Sequence, residues 1–581
     1  MRAERQGWDR EVDVVVVGSG GAGLTAALAA AAGGARVLVL EKAAVLGGTT
    51  AMSGAGTWIP ANHHMLAAGL ADSTDEALRY LRAVAPDGWA ESEEPLWREF
   101  VERAPETLAF LEARTPLEFE LVHHPDPYVE APGGRLHGRM LSPRLLSRNI
   151  LGPWRDRIRP FTRGQLFTYS EMVVGPVLSR PVTTLVKMAP ALVYRWLTRR
   201  VGMGGALATG LVKGCMDHGV EIMAETRVTR LVMDGDAGGR DRVIGVEAAR
   251  SGRPVAVRAA RGVVLATGGF EWDPELRARY FPGDVGLIGS PRTNTGDGQR
   301  MAAAAGARLE RMDQALIYCC LPIRYEGHRH AVPITDVYSP HGILVNRTGR
   351  RFLNEGRPNL GVAIDERDPA TGLPVHLPVW RIFDARYARK NPVVMLLGRM
   401  DRGWLRRAGS VAELAEMISL DPAVLTETVE RFNQFARRGR DEDFHRGETA
   451  WEKFNTPDPG PEEGGNGALG TVNVPPFYAA PYERAILATK GGPRTNEHGQ
   501  VLREDHSVIA GLYCAGVAMA NPIGSKAVGA GSTIGPCLTW GYICGRHVVQ
   551  ESVARAGVPT AASPDRDRKE MQIRAHRRQP S

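Results

Sequence analysis

Cysteine is scarce in this sequence: six of the 581 residues are cysteine, and none forms a C-x-x-C pair or a C-x-x-C-H segment. This spacing argues against a zinc site and against covalently attached haem. Thiols spread so thinly through a long chain predict a reducing location, which we expect to be the cytoplasm. The histidine pairs His63-His64 and His123-His124 would point apart on strands, so we expect no metal ion.

Long apolar runs are missing as well. No stretch of about 18 apolar residues occurs, so a membrane-spanning helix is not predicted. The segment Met1–Arg10 is polar and lacks the apolar core of a secretory signal. The formal charge is +7, but the basic residues are scattered and fit no nucleic-acid-binding motif, so we expect no nucleic acid partner. Residues 556–581 are predicted to form a disordered basic tail.

The N-terminal segment has the pattern of a dinucleotide-binding fold. Glu11–Val17 is an apolar, β-branched run, typical of a strand buried on both faces of a parallel sheet. It leads into residues 18–23 (GSGGAG), a predicted helix Leu24–Ala32, and a second strand that ends at Glu41. The glycines allow a tight turn, close approach of a pyrophosphate and tight helix packing, and Glu41 can bond ribose hydroxyls. We therefore predict a Rossmann-like α/β domain.

The segment after Glu41 favours FAD over NAD as the cofactor. Residues 45–50 (VLGGTT) and 53–56 (SGAG) are small, so the backbone can follow an extended cofactor closely. Residues 261–270 (RGVVLATGGF) predict another strand and a close-approach turn near the adenine half. The residues predicted to bind FAD are Gly18, Gly20, Gly21, Ala22, Gly23, Glu41, Lys42, Gly48, Thr49, Thr50, Gly54, Ala55, Gly56, Val228, Thr267, Gly268, Asp297, Gly516, Ser532, Thr533 and Ile534.

Ordered motifs along the chain carry a resemblance to a known family. They include residues 18–23 (GSGGAG), 47–60 (GGTTAMSGAGTWIP), 131–134 (APGG), 266–271 (ATGGFE), 294–298 (NTGDG), 489–492 (TKGG) and 529–536 (GAGSTIGP). With them the chain resembles the flavoprotein family of fumarate reductases and 3-ketosteroid dehydrogenases over about residues 10 to 550, and most closely the 3-ketosteroid Δ1-dehydrogenases. The resemblance implies a Rossmann-like FAD-binding domain formed by residues 1–293 and 479–555, with an inserted α+β capping, catalytic domain over 294–478.

The resemblance also implies a mechanism. In the steroid enzymes a tyrosine removes a proton beside a ketone while a hydride leaves for the flavin, and a second tyrosine and a backbone amide polarise the ketone. The amide position matches Gly531. The base is expected at Tyr318, with Tyr325 in reserve, although a tyrosine in an apolar segment can equally be an ordinary core residue. Tyr128, before the APGG segment, matches an active-site tyrosine and is expected to line the substrate pocket.

One position departs from the family. The ketone-polarising tyrosine belongs to a Tyr-Pro-Gly motif, and the corresponding residues here are Ala527-Val528-Gly529. Alanine cannot donate a hydrogen bond, so the donor must come from elsewhere or the substrate must differ. Lys526 could supply it, or it could contact a flavin phosphate or solvent.

The leading functional hypothesis is an FAD-dependent dehydrogenase that introduces a C=C bond α,β to the ketone of a small hydrophobic cyclic substrate, with an electron acceptor of unspecified identity. An ene-reductase of the fumarate or urocanate type is one alternative, and a catalytically weak flavin-binding protein is another. Residues 154–200 mix basic and apolar side chains. They could contact a membrane peripherally, or form a helical subdomain with a solvated basic face.

Overall fold

The computed structural model describes residues 7–162, 165–175, 177, 181–235, 241–333, 336–401, 403–456 and 465–555. The predicted basic tail, residues 556–581, lies outside these ranges. The described residues form a mixed α/β structure with one large sheet and several small ones.

The strands are given in chain order. They are β1 Arg10–Val17, β2 Val37–Leu40, β3 Thr57–Trp58, β4 Phe119–Leu121, β5 Met140–Pro143, β6 Leu146–Ser147, β7 Arg200–Val201, β8 Glu221–Met223, β9 Thr226–Asp234, β10 Arg242–Arg250, β11 Arg253–Leu265, β12 Leu287–Ile288, β13 Leu309–Glu310, β14 Ala315–Tyr318, β15 Cys320–Tyr325, β16 His328–Pro333, β17 Gly342–Val345, β18 Val379–Phe383, β19 Arg406–Ala408, β20 Phe477–Tyr482, β21 Ala485–Thr489, β22 Gly492–Pro493, β23 Gln500–Leu502 and β24 Val508–Cys514.

The α-helices, in the same order, are α1 Gly21–Ala32, α2 Gly48–Met52, α3 His63–Ala67, α4 Thr74–Val84, α5 Trp89–Arg114, α6 Pro181–Leu197, α7 Met203–Asp217, α8 Pro274–Tyr280, α9 Asp297–Ala304, α10 Leu360–Ile364, α11 Ala385–Lys390, α12 Pro392–Met400, α13 Val411–Met417, α14 Pro422–Arg438, α15 Ala450–Asn455 and α16 Ile534–Arg555. Among the described residues, no helix combines the length and the apolar character needed to cross a bilayer.

The large sheet has the strand order β23-β24-β10-β11-β1-β2-β8, with β9 paired to β10. Its centre is parallel: Val15 of β1 lies opposite Leu38 of β2 on one side and Val263 of β11 on the other. Val14–Val17 are buried, as expected for a strand covered by helices on both faces. The predicted strand at Arg261 in fact begins earlier, at Arg253, and ends at Leu265, before the Ala-Thr-Gly-Gly turn.

Helices α1 and α16 pack unusually close together beside this sheet. A Cβ atom on Gly541 would overlap the carbonyl oxygen of Ala22, and one on Gly545 would overlap that of Ala26. These glycines lie one turn apart, so one face of α16 lies directly on the backbone of α1. Helix α1 begins at Gly21, inside the glycine motif and three residues before the predicted start. Both helices therefore present their N-termini near the loop that follows β1.

The remaining sheets are small. Strands β17-β18-β20-β19 form a four-stranded sheet, and β12-β21-β14 form a three-stranded one. The predicted domain boundary at residue 479 falls inside β20, and the chain rejoins the large sheet only at β23. The exact domain boundaries stay a prediction.

Candidate cofactor and substrate site

The loop between β1 and α1 combines close packing with open space. Gly18 has a φ of 105°, and a Cβ there would overlap the carbonyl oxygen of Ala266. A Cβ on Gly23 would overlap the carbonyl oxygen of Gly18. A Cβ on Gly20, in contrast, would meet no atom within 4 Å. The glycines at 18 and 23 are therefore needed to close the turn, while the space at 20 is what a pyrophosphate on the helix N-terminus requires.

A cleft runs from this loop along the carboxyl ends of the central strands. Predicted cofactor residues that line it are Gly18, Gly20, Gly21, Ala22, Glu41, Lys42, Gly48, Thr49, Thr50, Val228, Thr267, Gly268, Asp297 and Gly516. Predicted residues that do not line it are Gly23, Gly54, Ala55, Gly56, Ser532, Thr533 and Ile534. Lining residues that the sequence prediction missed include Ser19, Thr226, Thr293, Asn294, Ala515, Val517 and Cys537. Asn294 lies in the NTGDG segment, which is the signal that could have identified it.

Charged side chains form hydrogen bonds and ion pairs at one end of the cleft. The buried carboxylate of Glu41 accepts hydrogen bonds from the backbone N–H and the hydroxyl of Ser19, at 2.9 and 2.7 Å. The ammonium of Lys42 donates to Asp297 at 2.9 Å, and Arg227 pairs with the same carboxylate. Burial would raise the pKa of Asp297, but Arg227 and Lys42 outweigh it and the pKa is lowered. Asp297 therefore stays ionised and fixes Lys42 in place.

The cleft fits FAD on its own geometry. The Thr267 hydroxyl is buried in its wall and has no hydrogen-bond partner among the described residues. A buried hydroxyl without a partner is costly, so a ligand group is the expected partner. Together with the open space at Gly20 and the acid at Glu41, it matches a cofactor with a pyrophosphate and an adenosine half. With its adenosine half near Glu41, FAD would have its flavin at the opposite end, beyond the glycine loop.

At that opposite end, the segment Gly529–Ser532 lies against Gly56. A Cβ on Gly531, whose φ is 95°, would overlap the backbone of Gly56, so only glycine fits there. The Gly531 amide N–H donates to no acceptor among the described residues. The next residues, Ser532 and Thr533, lead into α16. Gly56, which is buried, and Gly531 thus form a wall of closely packed backbone.

Asn359 joins the cap to this wall. It lies in the left-handed region, with φ of 57°, just before α10. Its side-chain oxygen accepts from the Ala527 N–H at 2.7 Å, and its side-chain nitrogen donates to the Ala527 carbonyl at 3.0 Å. The same nitrogen donates to the Tyr128 hydroxyl oxygen at 2.9 Å. Tyr128 is half-buried, and its hydroxyl hydrogen has no acceptor in the described ranges.

Tyr318 ends strand β14, which pairs with β21 so that Tyr318 lies opposite Ala485. Helix α10 packs directly on β14, because a Cβ on Gly361 would overlap the carbonyl oxygen of Ile317. The strand with Tyr318 and the helix preceded by Asn359 are therefore neighbours. Burial, and the nearby Tyr338, raise the pKa of Tyr318 well above its usual value.

The other candidates are placed differently. Lys526, next to Ala527, is half-buried, and no hydrogen bond or ion pair joins it to the described residues. The Tyr325 hydroxyl donates to the carbonyl of Pro160 at 2.7 Å, in a separate hairpin. Tyr169 is a residue that the sequence prediction missed: its ring is within about 3 Å of the Cβ position of Gly54, and it interacts electrostatically with Tyr318. Tyr169 thus brings a third tyrosine near the site.

The sequence analysis assumed that His63 and His64 lie on a strand, and this assumption is wrong. They lie on helix α3, and the Nε2 atoms of both face Glu112, at 2.8 and 2.9 Å. Burial would raise the pKa of Glu112, but the two histidines and the Phe119 N–H lower it to about 2. The three ligand atoms are within 4.8 Å of one another. Both imidazoles therefore reach one carboxylate, which the prediction did not foresee.

Comparison with known proteins identifies the class. A family model described as an FAD binding domain matches residues 13–534. The chain therefore belongs to this flavoprotein family, and FAD as the cofactor is confirmed. The α/β fold with an inserted cap, predicted from the sequence, is confirmed as well.

Several relatives are specific. The chain is 35% identical to the 3-oxosteroid 1-dehydrogenase of Mycobacterium tuberculosis (strain ATCC 25618 / H37Rv), covering 94% of this chain and 100% of the relative. It is 36% identical to the 4-oxocyclohexanecarboxylate 2-dehydrogenase of Sinomonas cyclohexanicum, covering 95% of both. The solved 3-ketosteroid delta1-dehydrogenase from Sterolibacterium denitrificans, in complex with 1,4-androstadiene-3,17-dione, is 30% identical with a TM-score of 0.82, covering 93% of this chain and 100% of that one.

An open flavocytochrome c3 fumarate reductase shares the fold alone, at 22% identity and a TM-score of 0.63, covering 94% of this chain and 79% of that chain. The resemblance to the 3-ketosteroid dehydrogenase and fumarate reductase family is confirmed. The protein is an FAD-dependent dehydrogenase of the class that acts on CH–CH groups. The fumarate reductase alternative fits the comparisons less well.

Proposed function

We propose that the protein introduces a C=C bond next to the ketone of a hydrophobic cyclic substrate of the 3-ketosteroid type. The names of the relatives, 3-oxosteroid and 4-oxocyclohexanecarboxylate dehydrogenases, support a ring ketone. The observation that carries the proposal is the hydrogen-bond set of Asn359, which holds Tyr128 beside Ala527. That arrangement puts a hydroxyl donor where the family's polarising tyrosine is missing.

Two donors are available for the substrate ketone. Because the Tyr128 oxygen accepts from Asn359, its own hydrogen points elsewhere, and no described residue accepts it. The Gly531 amide N–H likewise has no acceptor among the described residues. It lies four residues after Ala527 in the same loop. Donors aimed at a developing oxyanion acidify the neighbouring C–H bond and are commonly worth a factor of about 10² to 10³ in rate. Tyr128 and Gly531 are therefore proposed to polarise the ketone.

Tyr318 is proposed as the base. It removes a proton from the carbon next to the ketone as a hydride leaves the adjacent carbon, so that the new C=C bond forms from the C–H electron pair. Bound FAD supplies the hydride acceptor. The proton is held on the Tyr318 oxygen, and turnover then requires a two-electron acceptor such as a quinone or an artificial dye.

Lys526 can distinguish two classes of substrate within this proposal, ring ketones that carry a carboxylate and ring ketones that do not. It is a cation without a described partner, adjacent to the loop that carries Gly531. A substrate such as an oxocyclohexanecarboxylate carries a carboxylate that this ammonium could pair with, whereas a steroid ketone carries none. A role for Lys526 as donor to the ketone itself would instead affect both classes.

The test is anaerobic mixing of the FAD-loaded enzyme with 3-ketosteroids and with 4-oxocyclohexanecarboxylate, recorded as loss of the visible flavin band. Wild type is expected to be reduced by at least one ring ketone. Lys526→Met should slow reduction only by the carboxylate if Lys526 binds that group, and by both ketones if it polarises them. Flavin that stays oxidised with every ketone, but is reoxidised by an enoate after chemical reduction, would support the ene-reductase instead. If no ketone reduces the flavin and no enoate reoxidises it, the result would support a catalytically weak flavin-binding protein.

We also propose that helix α6 touches a membrane surface. The helix exposes Val182, Val186, Trp196 and Leu197 to between 66% and 73%, and Thr184 is its only buried side chain. Its sequence contains Lys187 and no acidic residue, and Arg200 follows it, whereas Arg195 is paired with Glu171 and Arg199 with Asp156. An exposed apolar helix with a cationic fringe suits the interface of an anionic bilayer, from which an apolar ketone could enter.

Flotation with lipid vesicles tests this contact. Wild type is expected to float with vesicles that contain phosphatidylserine, and less with neutral phosphatidylcholine vesicles. The double variant Val186→Ser/Trp196→Ser should remain in the aqueous fraction. A control on α12, Leu396→Ser/Met400→Ser, removes apolar side chains of similar exposure and should float like wild type. Equal flotation of both double variants, or no flotation of wild type, would contradict the proposal.

A further inference from the structure

Lys490 is a buried cation without an acidic partner. Its side chain is 3% exposed, and its ammonium donates to the Thr533 hydroxyl at 3.0 Å. Among the residues the structure describes, no carboxylate lies within ion-pair distance of this ammonium. The titratable neighbour that acts on its pKa is the Cys537 thiol. The position is fixed at the backbone as well: the Lys490 N–H donates to Gln314 at 2.8 Å, and its carbonyl accepts from Asn521 at 2.9 Å.

Such an ammonium is costly where it lies. Removing a charge from water costs several kcal/mol unless an opposite charge or several hydrogen bonds compensate. Burial accordingly lowers the pKa of Lys490 to about 8, against a small opposing effect of Cys537. One neutral hydroxyl does not compensate a buried ammonium with three N–H groups. The site is therefore built for an anion that belongs to a ligand.

The location of Lys490 indicates which anion this is. Thr533 directly precedes α16, and Cys537, in the first turn of that helix, lines the FAD cleft. The acid Glu41 marks the adenosine end of the cleft, so an extended FAD has its flavin at the α16 end. Reduced flavin is the species there that carries a negative charge, and groups near its ring set its potential. The N-terminus of α16 adds a positive dipole end at the same place.

We propose that Lys490 is the cation that stabilises the negative charge of reduced flavin and thereby makes the bound FAD a stronger oxidant. The proposal rests on FAD binding, which the family membership establishes, and is independent of the substrate class proposed above. Lys490 acts as a positioning charge: its ammonium, held by Thr533, favours the reduced over the oxidised cofactor by a Coulomb interaction in a site that excludes water.

The direct test is the midpoint potential of bound FAD, measured by equilibration with reference dyes in wild type and Lys490→Met. Methionine keeps the length and the apolar stem of the side chain and removes its charge. We expect the reduced-to-oxidised ratio at a fixed potential to fall at least about tenfold, which is a shift of about 30 mV to lower potential for a two-electron couple. Lys213→Met, which replaces a half-buried lysine on α7 that is paired with Asp217, should leave the potential unchanged.

Sulfite affinity is a second readout that needs no substrate, because sulfite adds to oxidised flavin and leaves negative charge on the ring. Its dissociation constant should rise at least tenfold in Lys490→Met and remain within a factor of about two in Lys490→Arg, which keeps the cation. If Lys490→Met fails to retain FAD, Thr533→Val replaces it, with a smaller shift in the same direction. An unchanged potential and sulfite affinity in FAD-loaded Lys490→Met, or equal shifts in the Met and Arg variants, would overturn the proposal.

Discussion

The cofactor end and the proposed substrate end of the molecule differ in the kind of contact that forms them. At the cofactor end, residues 18–23 follow one strand and open one helix, and the decisive contacts are between backbone atoms. At the substrate end, Tyr128, Tyr318, Asn359 and Gly531 come from four separate segments. Here the side chain of Asn359 joins the Tyr128 hydroxyl to the Ala527 backbone, four residues before Gly531.

This difference separates two kinds of sensitivity. Backbone packing tolerates no added atom where carbonyl oxygens already touch the glycine, so the cofactor end should fail by loss of structure or of FAD. A side-chain assembly can lose one hydrogen bond and keep its fold, so the substrate end should fail by loss of rate alone. The predictions below test that division.

The largest effect is expected from Gly23→Ala. The added Cβ overlaps the Gly18 carbonyl oxygen, and since that backbone atom is fixed in the turn, the variant should lose about 3 kcal/mol of stability and most of its flavin. Gly20→Ala is the matched control, because its Cβ meets nothing within 4 Å. The flavin-free form of that variant should melt like wild type and yet bind FAD more weakly. Melting curves measure the stability of each variant, and flavin content measures its FAD binding. Identical results for the two variants would contradict the different roles assigned to Gly23 and Gly20.

A large effect confined to rate is expected from Asn359→Ala. The variant frees the Tyr128 hydroxyl and the Ala527 backbone, so flavin reduction by a ring ketone should slow about 10²-fold. Flavin content should match wild type, because Asn359 does not line the FAD cleft. Tyr128→Phe, assayed by the same anaerobic rapid mixing, should show a similar loss. A loss of FAD in either variant would contradict the separation of the two ends.

The rate of flavin reduction should rise with pH. Burial, followed by the neighbouring Tyr338, holds the pKa of Tyr318 above 10, and a base acts only when deprotonated. Below its pKa the ionised fraction grows about tenfold per pH unit, so the rate at pH 9 should exceed that at pH 8 by about that factor. Tyr318→Phe should be slow and insensitive to pH. A plateau of the wild-type rate near neutral pH would show that another group is the base.

The smallest effect is expected from Tyr325→Phe. The Tyr325 hydroxyl bonds the Pro160 carbonyl in a hairpin apart from Asn359 and Gly531. Removing it should change the rate of flavin reduction by less than about twofold, while costing about 1 kcal/mol of stability through the lost hydrogen bond. A rate loss comparable to that of Tyr318→Phe would exchange the roles of the two tyrosines.

The sequence predicts the part of the cofactor end around the glycine loop because the chemistry there is local. A strand, a glycine loop, a helix start and an acid at the next strand end are consecutive, and the structure lines one cleft with them. The motif also explains Gly23, which packs the turn and does not face the cleft. The segments 53–56 and 532–534 fall outside this cleft, because motif likeness gives proximity along the chain and not the facing of each residue.

The substrate end was only partly predictable. Tyr318 and Gly531 could be named from resemblance, but nothing in the neighbourhood of Asn359 or Tyr169 marks either residue as part of the site. Their importance arises from tertiary packing of α10 on β14 and of Tyr169 against Gly54. Lys490 stood in a recognised motif, yet its lack of a counter-ion is visible only once its surroundings are known.

The most direct test of the central claim is a mass balance in a single anaerobic turnover. FAD-loaded enzyme is mixed with an excess of a 3-ketosteroid in the absence of any other electron acceptor, and the reduced flavin and the product are both quantified. The account predicts one product molecule, lighter by two hydrogens and with a C=C bond conjugated to the ketone, for each FAD reduced. Flavin that remains oxidised with every ring ketone tested, with no desaturated product, would contradict it.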